Sequence, residues 1–183
     1  GVQTCALPIS FVTTSRVLRA QDEVARGATA LERALVDGET LAAFSAPPPG
    51  FALEGFGDSA REFPLAAARM AESTRRLIAA GVPFLAGSDT GVFGVFPGAG
   101  IHGELRALAG LGLAPAAVLR SATSAAADFL DPAKSFGRVA PGQRADLLLV
   151  RGDAGRDLAA LADIEEVLLA GVRLERRPLG GGR

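Results

Sequence analysis

The feature of the sequence that most restricts its fold is a helix that ends on a glycine and leads directly into an apolar segment. Residues 65–81 read LAAARMAESTRRLIAAG and have the apolar spacing of an amphipathic helix, with Gly81 as its stop. Residues 82–89 (VPFLAGSD) follow as a short buried strand. Because a helix leads directly into a buried strand, we expect a parallel α/β sheet or barrel. The apolar side of the helix comprises Met70, Thr74, Leu77 and Ile78.

Similar segments precede this unit. The β-branched run at residues 11–15 favours a strand, and residues 16–35 have helical spacing. Residues 44–64 are rich in proline and glycine, which is typical of a loop. The predicted order up to this point is strand, helix, loop, helix and strand, an alternation that is typical of α/β proteins.

Two further helices are predicted after the glycine-rich loop at residues 91–101. The first covers residues 102–112, and the second covers residues 113–131 with Pro115 in its first turn. The residues expected to face inward are Leu105 and Leu108 in the first helix and Val118, Ala122 and Phe129 in the second.

The character of the sequence changes after Asp131. A Pro-Gly turn at residues 141–142 precedes the apolar run at 147–150, and residues 164–179 are typical of a strand, a turn at 170–171 and a second strand. We therefore predict a small β unit that is distinct from the α/β part. The predicted boundaries are 10–131 for the α/β part, 132–179 for the β unit and 180–183 for a frayed tail.

Charge and composition exclude several classes of function. The formal net charge of −1 argues against a protein that binds nucleic acid through phosphate contacts. The sequence has no apolar run approaching the ~18 residues of a membrane span, so we expect no membrane partner. His102 is the one histidine in the sequence. Since a metal site usually needs several His or Cys ligands, most ligands of any metal would lie outside this sequence.

Residues 1–9, GVQTCALPI, resemble the in-frame translation of a sequencing adapter. We therefore exclude them, with Cys5, from the reasoning on fold and chemistry. The chain is then expected to be the downstream part of a longer protein. The compartment stays open, because any signal peptide would belong to the missing part, and the cytoplasm is favoured.

Asp89 ends the predicted buried strand, and it has two interpretations. At the carboxyl end of a barrel strand, a carboxylate points into a shared pocket, where it can bind a divalent metal or accept a proton. Ser-Asp-Thr-Gly is also ordinary turn chemistry, in which the carboxylate only caps the backbone. These residues on their own leave both interpretations open.

His102 and Glu104 follow the glycine-rich loop and are the next candidates. His102 either faces a pocket beside the strand end or makes a local structural hydrogen bond. Glu104, near the predicted helix start, interacts favourably with the helix dipole. The loop lacks the Gly-x-Gly-x-x-Gly and P-loop patterns, so a phosphate site is poorly supported.

Four motifs, in this order, resemble the C-terminal part of the amidohydrolase superfamily, nearest to its imidazolonepropionase and prolidase-like metal-dependent hydrolases. The motifs are AAGVPFLAGSDTG, HGELRALAGLGLAPAAVLRSATSAAADFL, GRVAPGQRADLLLVRGD and IEEVLLAGVRL, within residues 64–176. The resemblance implies the last units of a (β/α)₈ TIM-type barrel over residues 10–131. It also implies that residues 132–179 are the C-terminal strands of a composite β-sandwich.

The same resemblance implies a function. The parent protein would hydrolyse a non-peptide or peptide-like C–N bond of a small-molecule substrate by means of metal-bound hydroxide. Asp89 would be a metal ligand and the catalytic proton acceptor, and His102 would bind substrate. The cofactor would be a divalent metal, with zinc favoured, whose ligands lie mostly outside the sequence, because the family's His-x-His pair and bridging lysine are missing here. A homo-oligomer is also expected, and the chain on its own is expected to be inactive.

Two alternatives stay open. A related deaminase on the same barrel would share these motifs. In a non-catalytic α/β module, Asp89 would only cap a turn, and its replacement by asparagine in the full-length protein would barely affect turnover.

Overall fold

The computed structural model describes residues 28–45, 63–88, 90 and 95–175, which form a mixed α/β structure. The helices within these residues are α1 (Ala30–Leu35), α2 (Gly38–Ser45), α3 (Phe63–Ala79), α4 (Gly100–Gly110), α5 (Pro115–Ala122) and α6 (Ser124–Leu130). The strands are β1 (Leu147–Val150), β2 (Ile164–Leu169) and β3 (Val172–Arg173), with a 3₁₀ helix, Leu158–Ala162, between β1 and β2.

The helix α1 begins with a capping box. The Thr29 hydroxyl accepts a hydrogen bond from the Glu32 backbone N at 3.2 Å, and the Thr29 backbone N donates to Glu32 Oε2 at 2.6 Å. The helix predicted over 16–35 is therefore confirmed at its C-terminal end. Its first residues and the strand predicted at 11–15 lie outside the described residues.

The helices α2 and α3 border the loop predicted at 44–64. Asp37 Oδ1 accepts a hydrogen bond from the Thr40 backbone N at 2.8 Å, which caps the start of α2. The prediction is wrong at both ends of the loop, because α2 continues to Ser45 and α3 begins at Phe63. The residues between these two helices lie outside the described residues.

The helix predicted over 65–81 is confirmed as α3, and Gly81 ends it in the left-handed region at φ +71°. Thr74 is buried, as is Ala67 two turns before it. Leu77, which was predicted on the apolar side, is 42% exposed. The buried stripe of α3 is therefore narrower than its pattern of apolar residues predicts.

The strand predicted at 82–89 is wrong for the residues that the structure describes. Residues 82–88 form no strand pairing, and the Ala86 backbone N donates instead to the Ser121 backbone O at 3.0 Å. A parallel strand needs neighbouring strands to satisfy its backbone groups, and the described residues hold only a small antiparallel sheet. The segment is half-buried and is tied to α5 rather than to a strand.

The helices α4 and α5 form the helical core. Leu105 and Leu108 face inward as predicted, with 6% and 2% of their surfaces exposed, and Val118 of α5 is fully buried. Phe84 and Ala86 pack against this cluster. The segment before residue 89 is thus held by apolar contacts as well as by its hydrogen bond to α5.

The single helix predicted over 113–131 is wrong, because the chain breaks at Thr123 into α5 and α6. Thr123 has φ −127° and ψ −97°, and its hydroxyl donates to the Leu119 backbone O at 2.6 Å. Such a local side-chain bond competes with continuous helix. Pro115 at the first turn is confirmed, whereas Phe129, which was predicted to face inward, is 52% exposed.

The linker between α6 and β1 packs closely on α6. A Cβ atom at Gly137 would lie 2.3 Å from Ala127 Cβ, and Gly137 has φ +92°. Arg138, the next residue, forms an ion pair with Asp128 of α6. The linker therefore requires a glycine at position 137 for both space and backbone conformation.

The small β unit predicted after Asp131 is confirmed as an antiparallel sheet in the order β1-β2-β3. The β1–β2 pairing begins with Leu147 opposite Leu168. The predicted turn between β2 and β3 has φ +51° at Ala170 and +81° at Gly171. Two successive positive φ values are typical of a type I′ hairpin turn. The boundaries of this unit at 132 and 179 stay a prediction.

Candidate functional site

The two residues that flank Asp89 in the sequence are joined by a hydrogen bond. Ser88 Oγ and Thr90 Oγ1 lie 2.8 Å apart. Asp89 itself lies outside the described residues. Its roles as metal ligand and proton acceptor therefore stay predictions.

The start of α4 packs directly on this hydroxyl pair. A Cβ atom at Gly100 would lie 3.2 Å from Ser88 Cβ and 3.1 Å from Val95 Cγ1, both shorter than ordinary contacts between side chains. Val95 and Phe96, which lead into the helix, are 0% and 2% exposed. The missing side chain at Gly100 thus allows the helix start to approach Ser88 and Thr90 closely.

His102 lies in the first turn of α4 and is half-buried. Its backbone N donates to the Ala99 backbone O at 3.2 Å. Burial lowers the pKa of the imidazole from its ordinary value, and the nearby positive charge of Arg106 lowers that pKa further. The neutral imidazole that results can accept or donate a hydrogen bond. The substrate-binding role of His102 stays a prediction.

Glu104 differs from its sequence interpretation. It is the fifth residue of α4, beyond the first turn in which an acidic side chain interacts with the helix dipole, and it is 1% exposed. The sequence carried a signal for this burial, because Glu104 lies four residues from Gly100 and from Leu108 on the inward side of the helix. The sequence analysis instead predicted an interaction with the helix dipole, from the charge of Glu104 and its place near the helix start.

Asp146 of the Ala-Asp-Leu motif has a structural position in the small sheet. Its Oδ1 accepts a hydrogen bond from the Ala170 backbone N at 2.8 Å, and its Oδ2 accepts one from Arg144 Nε at 2.6 Å. The Gly171 backbone N also donates to the Ala145 backbone O at 2.9 Å. This motif therefore anchors the turn between β2 and β3 to the start of β1.

The described residues do not form a metal site by themselves. Within them, no three His, Cys, Asp or Glu side chains come together as a group that could hold a metal ion. Among the same residues, no helix is long and apolar enough to cross a membrane. A metal site would need ligands from outside this part of the chain.

The sequence matches the amidohydrolase family over residues 16–173. Among solved structures, the chain is similar to a crystal structure of an amidohydrolase, with 27% identity and a TM-score of 0.54 over 68% of this chain and 31% of that one. It is also similar to a crystal structure of an uncharacterized protein, with 29% identity and a TM-score of 0.56 over 66% of this chain and 30% of that one.

A third similar structure is that of a Xaa-Pro dipeptidase with bound methionine in its active site. It shares 17% identity and a TM-score of 0.61 over 91% of this chain and 34% of that one, a level of identity that shows the fold alone. No curated protein matches the chain. The chain spans about a third of the length of the solved structures that it resembles.

Proposed function

Because the chain belongs to the amidohydrolase family, we propose that the full-length protein is a metal-dependent hydrolase that cleaves a C–N bond. The observation that carries this proposal is the family match over residues 16–173, which is most of the chain. The substrate would be a small molecule with an amide, a cyclic amide or a peptide-like bond. The proposal includes a (β/α)₈ barrel, a composite β-sandwich and a homo-oligomeric assembly for the full-length protein.

The residue of this chain to which we assign the chemistry is Asp89. Its carboxylate would accept the proton of the attacking water and pass it to the leaving nitrogen. The hydroxyl pair of Ser88 and Thr90 supports this role, because a hydrogen bond between the two neighbours of a residue limits the positions open to that residue. His102 would contribute a neutral hydrogen-bonding group toward the substrate.

The metal is proposed for the full-length protein and not for the described residues alone, which lack a group of ligands. Asp89 would be this chain's one ligand. The other ligands would come from the part of the full-length protein that corresponds to the two thirds of the solved structures that this chain does not cover. A divalent cation such as zinc supplies water with a pKa lowered to about 7 and polarises a carbonyl oxygen. Asp89 is a suitable ligand type, since carboxylate oxygens bind zinc in proteins.

The test is the replacement Asp89→Asn in the full-length protein purified with added zinc. The substrates are a panel of N-acyl amino acids, dipeptides and cyclic amides, with release of the free amine as the readout. Asparagine cannot accept the proton, so we expect kcat/KM to fall by about 100- to 10,000-fold. The melting temperature should stay close to that of the original protein.

A matched control is Asp157→Asn. Asp157 is an aspartate that caps a turn, since its Oδ1 accepts a hydrogen bond from the Ala159 backbone N at 2.9 Å. This replacement should leave turnover unchanged. If Asp89→Asn has as little effect as Asp157→Asn, Asp89 is a cap and its catalytic assignment is wrong. An amino-substituted nitrogen heterocycle is added to the panel, since release of ammonia from that substrate alone would identify a deaminase.

A further inference from the structure

Glu104 is the most deeply buried charged side chain among the described residues, at 1% exposure. A buried carboxylate is costly unless hydrogen bonds or an opposite charge compensate it, and Glu104 does engage a partner. Neither the proposed catalytic step nor substrate binding uses this side chain. Its place in α4 indicates what it does.

The direction of side chains along a helix aims Glu104 at the turn before it. Helical side chains lean toward the N-terminus, so the side chain at position 104 covers the surface around Gly100, four residues earlier. Gly100 has no side chain and packs against Ser88 and Val95. A Cβ atom at Gly100 would also lie 3.9 Å from Thr90 Oγ1. The direction expected for the Glu104 side chain and the contacts of Gly100 therefore lead to the same region, beside Ser88 and Thr90.

We propose that Glu104 is a positioning residue whose carboxylate holds Ser88 and Thr90, the sequence neighbours of Asp89, against the start of α4. A carboxylate only accepts hydrogen bonds, and the hydroxyl and backbone N–H groups of Ser88 and Thr90 are matching donors. Hydrogen bonds to a charged acceptor are stronger than those to a neutral one. The link to catalysis rests on the proposed function, whereas the interaction with Ser88 and Thr90 does not.

Glu32 provides a matched control, because it is also a buried glutamate, at 2% exposure. Its carboxylate accepts a hydrogen bond from the backbone N of Thr29, at the start of its own helix α1. Replacing either glutamate by glutamine keeps the size of the side chain and removes the charge. The two replacements should therefore differ in which segment of the chain they loosen.

The experiment is amide hydrogen exchange of the full-length protein, original and with Glu104→Gln or Glu32→Gln. In Glu104→Gln, we expect the peptide covering residues 86–96 to exchange about tenfold faster, because the negative charge and one of the two acceptor oxygens are lost. Residues 115–122 of α5 should exchange at the original rate. Glu32→Gln should leave residues 86–96 unchanged.

Unchanged exchange of residues 86–96 in Glu104→Gln would overturn the proposal, as would an equal acceleration in α5, which would mean a general loss of stability. If Glu104→Gln does not fold, Glu104→Asp is measured in the same way. It keeps the charge but withdraws the carboxylate by one methylene, so it should also accelerate exchange in residues 86–96 alone, and unchanged exchange there would equally overturn the proposal.

Turnover separates this inference from the proposed function. With Glu104→Gln, we expect kcat to fall about tenfold or more with little change in KM. The group that would be misplaced is the Asp89 carboxylate, which is proposed to react with the substrate rather than only to bind it. If Asp89→Asn leaves turnover intact while Glu104→Gln still loosens residues 86–96, the proposed function fails and the positioning role stands. If Asp89→Asn abolishes turnover and Glu104→Gln leaves exchange unchanged, the reverse holds.

Discussion

The helical core and the small sheet are stabilised in different ways. Leu108 and Val118 of the helical core have at most 2% of their surfaces exposed. In the sheet, by contrast, Leu148 is 58% exposed, Leu169 55% and Val172 65%. The strand register places these three side chains on one face, since Leu148 pairs with Val167 and Leu169 pairs with Val172.

The difference shows what each region depends on. Burial of apolar surface supplies most of the free energy in a closely packed core. The sheet instead depends on its backbone ladder, its hairpin turn and polar ties such as the one that Asp146 makes to Ala170. Truncation of an apolar side chain should therefore lower the free energy of unfolding mainly when it is made in the helical core. Changes of pH should alter stability mainly through the sheet and its linker.

The largest expected effect is that of Leu108→Ala in the helical core. The replacement removes a buried side chain and leaves a cavity, so the free energy of unfolding should fall by about 3 kcal/mol. The matched replacement Leu148→Ala in the sheet should change it by about 0.5 kcal/mol or less, because the side chain is more than half exposed. Urea unfolding of the full-length protein measures both.

The same pair of replacements tests whether the apolar face of the sheet is covered in the full-length protein. If Leu148→Ala is as destabilising as Leu108→Ala, the apolar face of the sheet is covered in the full-length protein. The contrast between the regions would then apply to the described residues and not to the full-length molecule.

The next effect concerns the linker that joins the two regions. Gly137→Ala would bring a Cβ atom to 2.3 Å from Ala127 Cβ at a φ of +92°. Overpacking and backbone strain together should lower the free energy of unfolding by about 2 kcal/mol. Gly142→Ala is the control, since it has φ +82° but nothing within 4 Å, and it should be destabilising by only about 1 kcal/mol. Equal effects in the two variants would mean that Ala127 moves aside easily.

The parts of the fold that could be predicted from the sequence are those with local causes. The helix α3 follows from its apolar spacing, and its end follows from Gly81, whose left-handed conformation needs only the residue itself. The hairpin between β2 and β3 follows in the same way from two apolar runs around a glycine turn.

The parts that could not be predicted depend on tertiary contacts. The segment at 82–88 has the composition of a strand, but the backbone N of Ala86 bonds to Ser121 of α5, which no local pattern encodes. The break at Thr123 depends on a hydroxyl hydrogen bond inside a run of good helix formers. For the candidate site, the burial of Glu104 contradicts what its charge predicts, whereas the roles of Asp89 and His102 stay predictions.

A smaller effect concerns the response of the sheet to acid. The hydrogen bond from Arg144 and then that from the Ala170 backbone N lower the pKa of Asp146. A lowered pKa in the folded state contributes stability that is present above the unfolded value, about 3.9, and is lost as the pH falls through the folded value. Asp146→Asn should therefore reduce the fall in the urea midpoint between pH 6 and pH 3. Arg144→Gln should act in the same direction, and a fall as steep as in the original protein would show that this ion pair adds nothing to acid sensitivity.

The smallest expected effect is a change in the titration midpoint of His102, which lies in α4 of the helical core. Burial is the main cause of its lowered pKa and the charge of Arg106 is the second, so Arg106→Gln should raise the midpoint while leaving it below that of the unfolded chain. A histidine with a lowered pKa destabilises the folded state as the pH falls below about 6.5, because protonation then favours the unfolded chain. Proton NMR of the metal-depleted full-length protein, with His102→Gln to identify the signal, measures the midpoint. If Arg106→Gln restores the midpoint of the unfolded chain, charge rather than burial lowers the pKa of His102. Water would then reach the start of α4 more readily than it reaches Leu108.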